Sequence, residues 1–230
     1  MDELKRAKKM YESRYRINWK DRSYMWHPRN PISFVHSQIL DKRVIQAINR
    51  LDIELVDQKI LDVGSGYGRL IRFWTELGAD PSNLYGIDLT LHRLQHAQKL
   101  LNRAGYACSS AGELPFDARS FDILSQFSVF SSIFDFTLRQ KAAKEMVRVL
   151  RSNGWLIWYD VSNGKGGNPK PITRNDVLAL FPNLELQFSC PVFSRELARI
   201  IKINVDLAFL WERLPFVPKN GLIMVFRRPD

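Results

Sequence analysis

Between residues 59 and 160, short apolar runs alternate with stretches of helical periodicity, and this alternation leaves few architectures open. Runs at 59–63, 84–88, 106–109, 121–126 and 154–160 have the length and bounding residues of buried strands. The stretches 69–77, 91–104 and 138–150 between them carry helical spacing. In the last of these, Leu138, Ala142, Met146 and Val149 recur on one face, while Arg139, Lys141, Lys144 and Arg148 fall elsewhere on the surface. Strands that alternate with helices build a parallel sheet covered on both faces. A capping-box pair, Thr173 and Asp176, opens a further helix, and strands are expected at 184–189 and 221–226 with a long amphipathic helix at 194–213. The expected fold is therefore α/β, a doubly wound, seven-stranded, mostly parallel sheet whose last strand is antiparallel. Residues 1–58, helical and rich in aromatics (Tyr11, Tyr15, Trp19, Tyr24, Trp26), read as an N-terminal helical cap, and 59–230 as one domain.

The first strand ends in Ile60-Leu61-Asp62-Val63-Gly64-Ser65-Gly66-Tyr67-Gly68-Arg69, a strand running through a glycine turn into a helix. Glycines let the backbone turn sharply and let a ligand reach main-chain N–H groups with no Cβ in the way. A dinucleotide fingerprint would need glycine at the sixth position, where Arg69 stands. Asp62, two residues before the first glycine, would repel a pyrophosphate and suits a ligand bearing ammonium or sulfonium. Asp88, at the end of the second strand, can accept both hydroxyls of a ribose. The pair selects a nucleoside that is cationic rather than phosphorylated, which is the chemistry of S-adenosylmethionine.

With those residues in place, the chain resembles the class I S-adenosylmethionine-dependent methyltransferases, of the methyltransferase type 11-like, small-molecule subgroup. Four motifs carry the resemblance in order: ILDVGSGYGR, GIDLT, ELPFDARSFDIL and RVLRSNGWLIWYD. The resemblance implies a Rossmann-like methyltransferase fold with S-adenosyl-L-methionine as cofactor. It implies that Asp62, Gly64, Ser65, Gly66 and Gly68 surround the methionine end, that Asp88 takes the ribose, and that Leu89 packs on the adenine. Ser110 and Ala111 stand where the family often has Asp-Ala at the adenine edge; the Ser110 hydroxyl and the Ala111 N–H can still serve there. Gln126 and Phe127, ending the fourth strand, would line the cofactor and face the substrate.

Methyl transfer from a sulfonium draws mainly on positioning, and a general base is needed only when the acceptor keeps its proton until late. Candidates for such a base are His27, His36, Tyr24 and Asp160, and no catalytic residue is assigned among them. An Asn/Asp-Pro-Pro-aromatic motif is absent after strand four, where Gln126-Phe127-Ser128-Val129 stands, and neither Cys108 nor Cys190 sits in a Pro-Cys pair. These absences argue against nucleic-acid bases as acceptors. The C-terminal part, with its Leu-Pro segment and basic-Pro tail, resembles small-molecule methyltransferases of glycan, lipid and secondary-metabolite biosynthesis. The expected reaction is methylation of such a precursor, at oxygen first. An RNA methyltransferase and a catalytically silent S-adenosylmethionine-binding partner are the alternatives.

Two cysteines make neither a disulfide framework nor a zinc site, so no metal is expected and the compartment reads as reducing. The first residues mix charges of both signs with no apolar segment, and no apolar run reaches membrane-span length, so the expected location is cytoplasmic. The formal charge of +10 is uneven. Residues 1–22 carry +4, 137–174 carry +6 and 191–230 carry +3, whereas 59–136 sum to −1. The near-neutral cofactor half suits a cationic ligand, and the excess reads as a basic rim for an anionic acceptor. The loop 162–171, with Lys165 and Lys170, could act as a lid, and the apolar stripe Leu197, Ile200, Ile201, Val205, Ala208 and Trp211 reads as a core face.

Overall fold

Parallel strands need long crossovers, and the helices predicted between them supply these. The computed structural model describes residues 3–13, 20, 27, 29–162, 171–193, 212, 214, 217 and 219–230. Its elements are α1 (Glu3–Ser13), α2 (Pro31–Leu51), β1 (Ile60–Val63), α3 (Arg69–Glu76), β2 (Leu84–Asp88), α4 (Leu91–Leu100), β3 (Gly105–Cys108), β4 (Phe121–Phe127), α5 (Phe136–Val149), β5 (Leu150–Val161), α6 (Arg174–Leu180), β6 (Glu185–Val192) and β7 (Gly221–Arg227). They form a seven-stranded sheet of order β3-β2-β1-β4-β5-β7-β6, with β7 antiparallel to both its neighbours. The doubly wound sheet with an antiparallel last strand is the architecture expected.

Alternation along the strands sorts side chains to the two faces. Ile60, Leu84, Ile123, Ile157, Ile223 and Val225 join α2 and α3 in one core, which includes Ile39, Val44, Ala47, Ile48, Ile71 and Trp74. Leu61, Val63, Leu124, Leu156, Trp158, Met224 and Phe226 join α5 and α6 in the other, with Ala142, Met146, Val149 and Phe181. Helix α2 is thus part of the packing of the sheet itself. Asn30 caps it, accepting from Ile32 N and Ser33 N, with Pro31 in the first turn. Thr173 and Asp176 make the full capping box of α6.

Three local readings change. β5 begins at Leu150 rather than at 154, because Leu150 pairs with Phe121 across a register shift. Asn153 takes φ +60° in this irregular stretch, and Gly154 has no room for a Cβ beside the Asp122 carbonyl. α4 stops at Leu100, and the four residues beyond it turn into β3. Arg139 is buried rather than on the surface, its Nε donating to the Ile133 carbonyl at 2.6 Å. The expected helix 194–213 falls almost wholly outside the described residues, as do Tyr15, Trp19, Tyr24, Trp26, Lys165 and Lys170.

Candidate functional site

The parallel order β2-β1-β4-β5 brings the C-terminal ends of four strands to one edge, where open α/β sheets bind ligands. Asp62 and Ser125 are direct register partners on β1 and β4 and point to the α3 face. Ser125 Oγ donates to Asp62 Oδ1 at 2.8 Å, and Trp74 Nε1 donates to Ser125 Oγ at 3.4 Å from behind. Asp62 is only 2% exposed. Burial pushes its carboxyl up to about 7, against the lowering effects of the Ser125 hydrogen bond and the Arg69 charge. An anion so desolvated, with one side-chain donor, is favoured by a cationic group brought to it.

Val63 leads into the glycine loop. Gly64 has φ +76°, and Val129 Cγ2 would lie 2.4 Å from a Cβ placed there, so no other residue lets the turn after β4 come this close. Gly66 has φ +54°; its absent Cβ leaves a space bounded by Arg93 Nη1 at 3.9 Å and Asp88 Oδ2 at 4.0 Å. Gly68 caps α3 and packs on Ala97 of α4. Ser65 is buried, with its hydroxyl turned toward Gly86.

Asp88 ends β2 with each carboxylate oxygen holding one backbone N–H. Oδ2 accepts from Gly66 N at 3.1 Å and Oδ1 from Thr90 N at 2.9 Å. A carboxylate has about four acceptor positions, so two stay for a diol. Leu89 is half-buried beside it. Ser110 Oγ accepts from Gly112 N at 3.1 Å, which forms a small turn and leaves its O–H to donate; Ala111 is half-buried next to it. The Leu-Pro-Phe segment is clamped to α5, with Leu114 N donating to Glu145 Oε2 and Arg148 donating to the Leu114 and Phe116 carbonyls.

The β4–β5 side differs. Gln126 is fully buried, its Nε2 donating to the Tyr159 carbonyl at 3.2 Å and its Oε1 accepting from Val129 N at 3.2 Å. Its side chain, expected to line the cofactor, is thus engaged in pinning the turn after β4. Phe127 packs on Tyr159, ring centroids 5.3 Å apart. Asp160 is fully buried; Oδ2 accepts from Ser131 N at 3.0 Å and Oδ1 from Val161 N at 2.9 Å. Burial still raises its carboxyl to about 6. Its position is that of a brace for the 130–132 turn. His36 Nε2 lies 3.0 Å from Tyr159 Oη, both side chains buried, and His27 Nδ1 accepts from Arg29 N. Each of these three base candidates is built into packing.

The basic rim divides. Arg151 pairs with Asp122 at 2.6 Å where β4 and β5 begin, at the edge opposite the mouth. The exposed Lys5, Lys8 and Lys9 of α1 lie at the mouth side, because Arg6 of the same helix donates to the Ser132 carbonyl. Sequence reasoning missed Arg93, Tyr67 and Ser125. A serine next to the apolar run of β4 and an arginine one turn beyond Asp88 were the available signals.

Residues 61–158 match the family model described as a methyltransferase domain. That stretch contains Asp62, the glycine loop and Asp88 in their observed arrangement. Residues 61–158 are thus a methyltransferase domain similar to the class I S-adenosylmethionine-dependent methyltransferases. The ubiquinone/menaquinone biosynthesis C-methyltransferase UbiE of Campylobacter jejuni is 30% identical to the chain over 115 residues, 48% of either protein. Malonyl-[acyl-carrier protein] O-methyltransferase of Salmonella typhimurium is 31% identical over 105 residues, 46% of this chain and 39% of that protein. The match thus spans half or less of these relatives' length. The crystal structure of magnesium protoporphyrin IX methyltransferase (ChlM) from Synechocystis, solved with its cofactor, superposes with a TM-score of 0.65 at 14% identity, covering 99% of this chain and 98% of that one. At that identity the likeness is one of fold. The methyl donor of such a domain is S-adenosylmethionine, and the residues present fit it: a desolvated anion for its ammonium, a glycine at 66 that brings no Cβ between Arg93 and Asp88, and an Asp88 carboxylate whose oxygens each accept one backbone N–H. Among the described residues no group of acidic, histidine or cysteine side chains could hold a metal, and no helix is long and apolar enough to cross a membrane.

Proposed function

We propose that the protein methylates a small acidic molecule at oxygen, using S-adenosylmethionine. The observation that carries this reading is the pair of buried carboxylates flanking the glycine loop, Asp62 with its proton affinity raised by burial and Asp88 with acceptor positions to spare. Bound S-adenosylmethionine supplies an electrophilic methyl group on a sulfonium. Asp62 would hold the ammonium, Gly64 and Gly66 would admit the methionine end against the main chain, and Asp88 would take the ribose hydroxyls.

The engagement of the base candidates supports an oxygen acceptor of a particular kind. His27, His36 and Asp160 are engaged in packing, so an acceptor that ionises before it binds, a carboxylic acid or acidic phenol, needs none of them. Lys5 and Lys8, exposed on α1 near the mouth, would favour such an anion. The relatives' names include both C- and O-methyltransferases, and one acts on a malonyl group, which carries a carboxylic acid.

The test is incubation with S-adenosylmethionine labelled in its methyl group and a panel of aliphatic acids, acidic phenols and neutral alcohols. Label should pass to the acids or phenols, and label in an ester should be released by mild alkali. Transfer to carbon, or to the neutral alcohols alone, would contradict an oxyanion acceptor.

A further inference from the structure

Three side chains from three separate elements stack beside Asp88. The Arg93 guanidinium, on the first turn of α4, lies 5.3 Å from the Tyr67 ring of the glycine loop and 4.7 Å from the Tyr11 ring of α1. Arg93 is buried, and its Nη1 is 3.9 Å from Asp88 Oδ2. A planar guanidinium can present its faces to two rings and its edge to a carboxylate at the same time, which an ammonium cannot.

Helix α1 is also anchored on the far side of the cleft. Arg6 Nη2 donates to the Ser132 carbonyl at 2.8 Å, and its guanidinium lies 4.0 Å from the Phe134 ring. Tyr11 Oη donates to Ser132 Oγ. Ser132 and Phe134 follow β4, whereas Arg93 follows β2, and β1 runs between those two strands. Helix α1 therefore bridges the C-terminal end of β1, where Asp62 and the glycine loop lie. Arg93 borders the Cβ-free space over Gly66 that a ribose on Asp88 would enter.

We propose that Arg93 is a positioning residue that couples nucleoside binding at Asp88 to closure of α1 over the site. The inference rests on Asp88 being the ribose acceptor. Coupling is reciprocal: a ligand that tightens α1 is itself held more tightly by α1, by the same factor. Ribose hydroxyls on Asp88 and the rings on Arg93 would fix the two ends of one contact, and α1 would exclude water from it.

The probe is S-adenosylhomocysteine, and the variants are Arg93→Lys, Arg93→Met and Tyr11→Leu in the full chain. Affinity is read by calorimetric titration, closure by the rate of tryptic cleavage at Lys5, Arg6, Lys8 and Lys9, and folding by the Tm without ligand. In the wild type the probe should slow cleavage in α1 by on the order of fivefold or more. Arg93→Lys and Tyr11→Leu should keep the ligand-free Tm, lose affinity by roughly tenfold and lose the slowing of cleavage. Arg93→Met should lose at least as much. Wild-type affinity together with wild-type protection in Arg93→Lys and Tyr11→Leu would overturn the proposal. Should the Arg93 variants fail to fold, Tyr11→Leu decides it alone, since that change lies outside the sheet and its loops. A wild-type protein that does not bind the probe would instead overturn the cofactor reading.

Discussion

Asp62 and Asp160 lie near the C-terminal ends of β1 and β5, either side of β4, both buried and both with carboxyls raised by desolvation, yet their hydrogen-bond partners differ in kind. Asp160 holds the backbone N–H groups of Ser131 and Val161, and so keeps the turn after β4 in shape. Asp62 accepts one serine hydroxyl and lies two residues before the glycine loop. The same contrast runs through their surroundings. On the β1–β2 side, Gly66 stands with no Cβ beside Asp88, and each Asp88 oxygen accepts a single backbone N–H. On the β4–β5 side, Gln126, Asp160 and the His36–Tyr159 pair satisfy one another. Burial marks both carboxylates; what each is bonded to sets them apart.

Removing each carboxylate tests that contrast. Asp160→Ala strips the acceptor from two buried N–H groups and should destabilise the protein by about 2–4 kcal/mol in a urea titration at pH 5.5. Asp62→Asn keeps an acceptor for Ser125 and should leave ligand-free stability unchanged or higher at pH 8, while S-adenosylmethionine affinity falls by on the order of tenfold to a hundredfold. If Asp62→Asn lost as much stability as Asp160→Ala, the two sites would not differ as described.

The pH dependence follows from the same burial. Because Asp62 holds its proton up to about 7 in the folded protein and only to the ordinary carboxylate range when unfolded, the native state binds the extra proton between roughly pH 4 and 7. Stability contributed by this group is therefore full at the acid end and falls as pH rises through that window. Asp160, raised to about 6, acts in the same direction. Thermal melts from pH 5 to 8 should show Tm falling, and saturating S-adenosylmethionine should flatten the slope by giving the Asp62 anion a partner. An equal slope with and without ligand would contradict contact between them. The smallest effect expected is that of His36→Gln, with kcat changed less than about twofold, since an engaged histidine is not the base. A large fall in kcat with normal folding would restore it to the mechanism.

Much of the β1–β2 side was legible beforehand, because its chemistry lies in contiguous residues: an apolar strand, Asp62, three glycines, and Asp88 at the next strand's end. The doubly wound, seven-stranded sheet and its antiparallel last strand followed from the alternation of strand and helix together with the family motifs. The braces were not legible. Nothing in the segment Gln126-Phe127-Ser128-Val129 says that Gln126 turns inward, since its partners, the Tyr159 carbonyl and Val129 N, are set by how β4 and β5 pair. The contact between Tyr11 and Arg93 joins residues 82 positions apart in the sequence, through a helix whose location only packing decides.

Calorimetric titration of the wild type and Asp88→Ala with S-adenosylmethionine and with NAD is the most direct test of the central claim, that Asp62 and Asp88 make a site for a cationic nucleoside. The wild type should bind S-adenosylmethionine and not NAD, and Asp88→Ala should lose at least roughly a hundredfold in affinity, the worth of two hydrogen bonds to a charged group. Tighter binding of NAD, or unchanged affinity in Asp88→Ala, would contradict it.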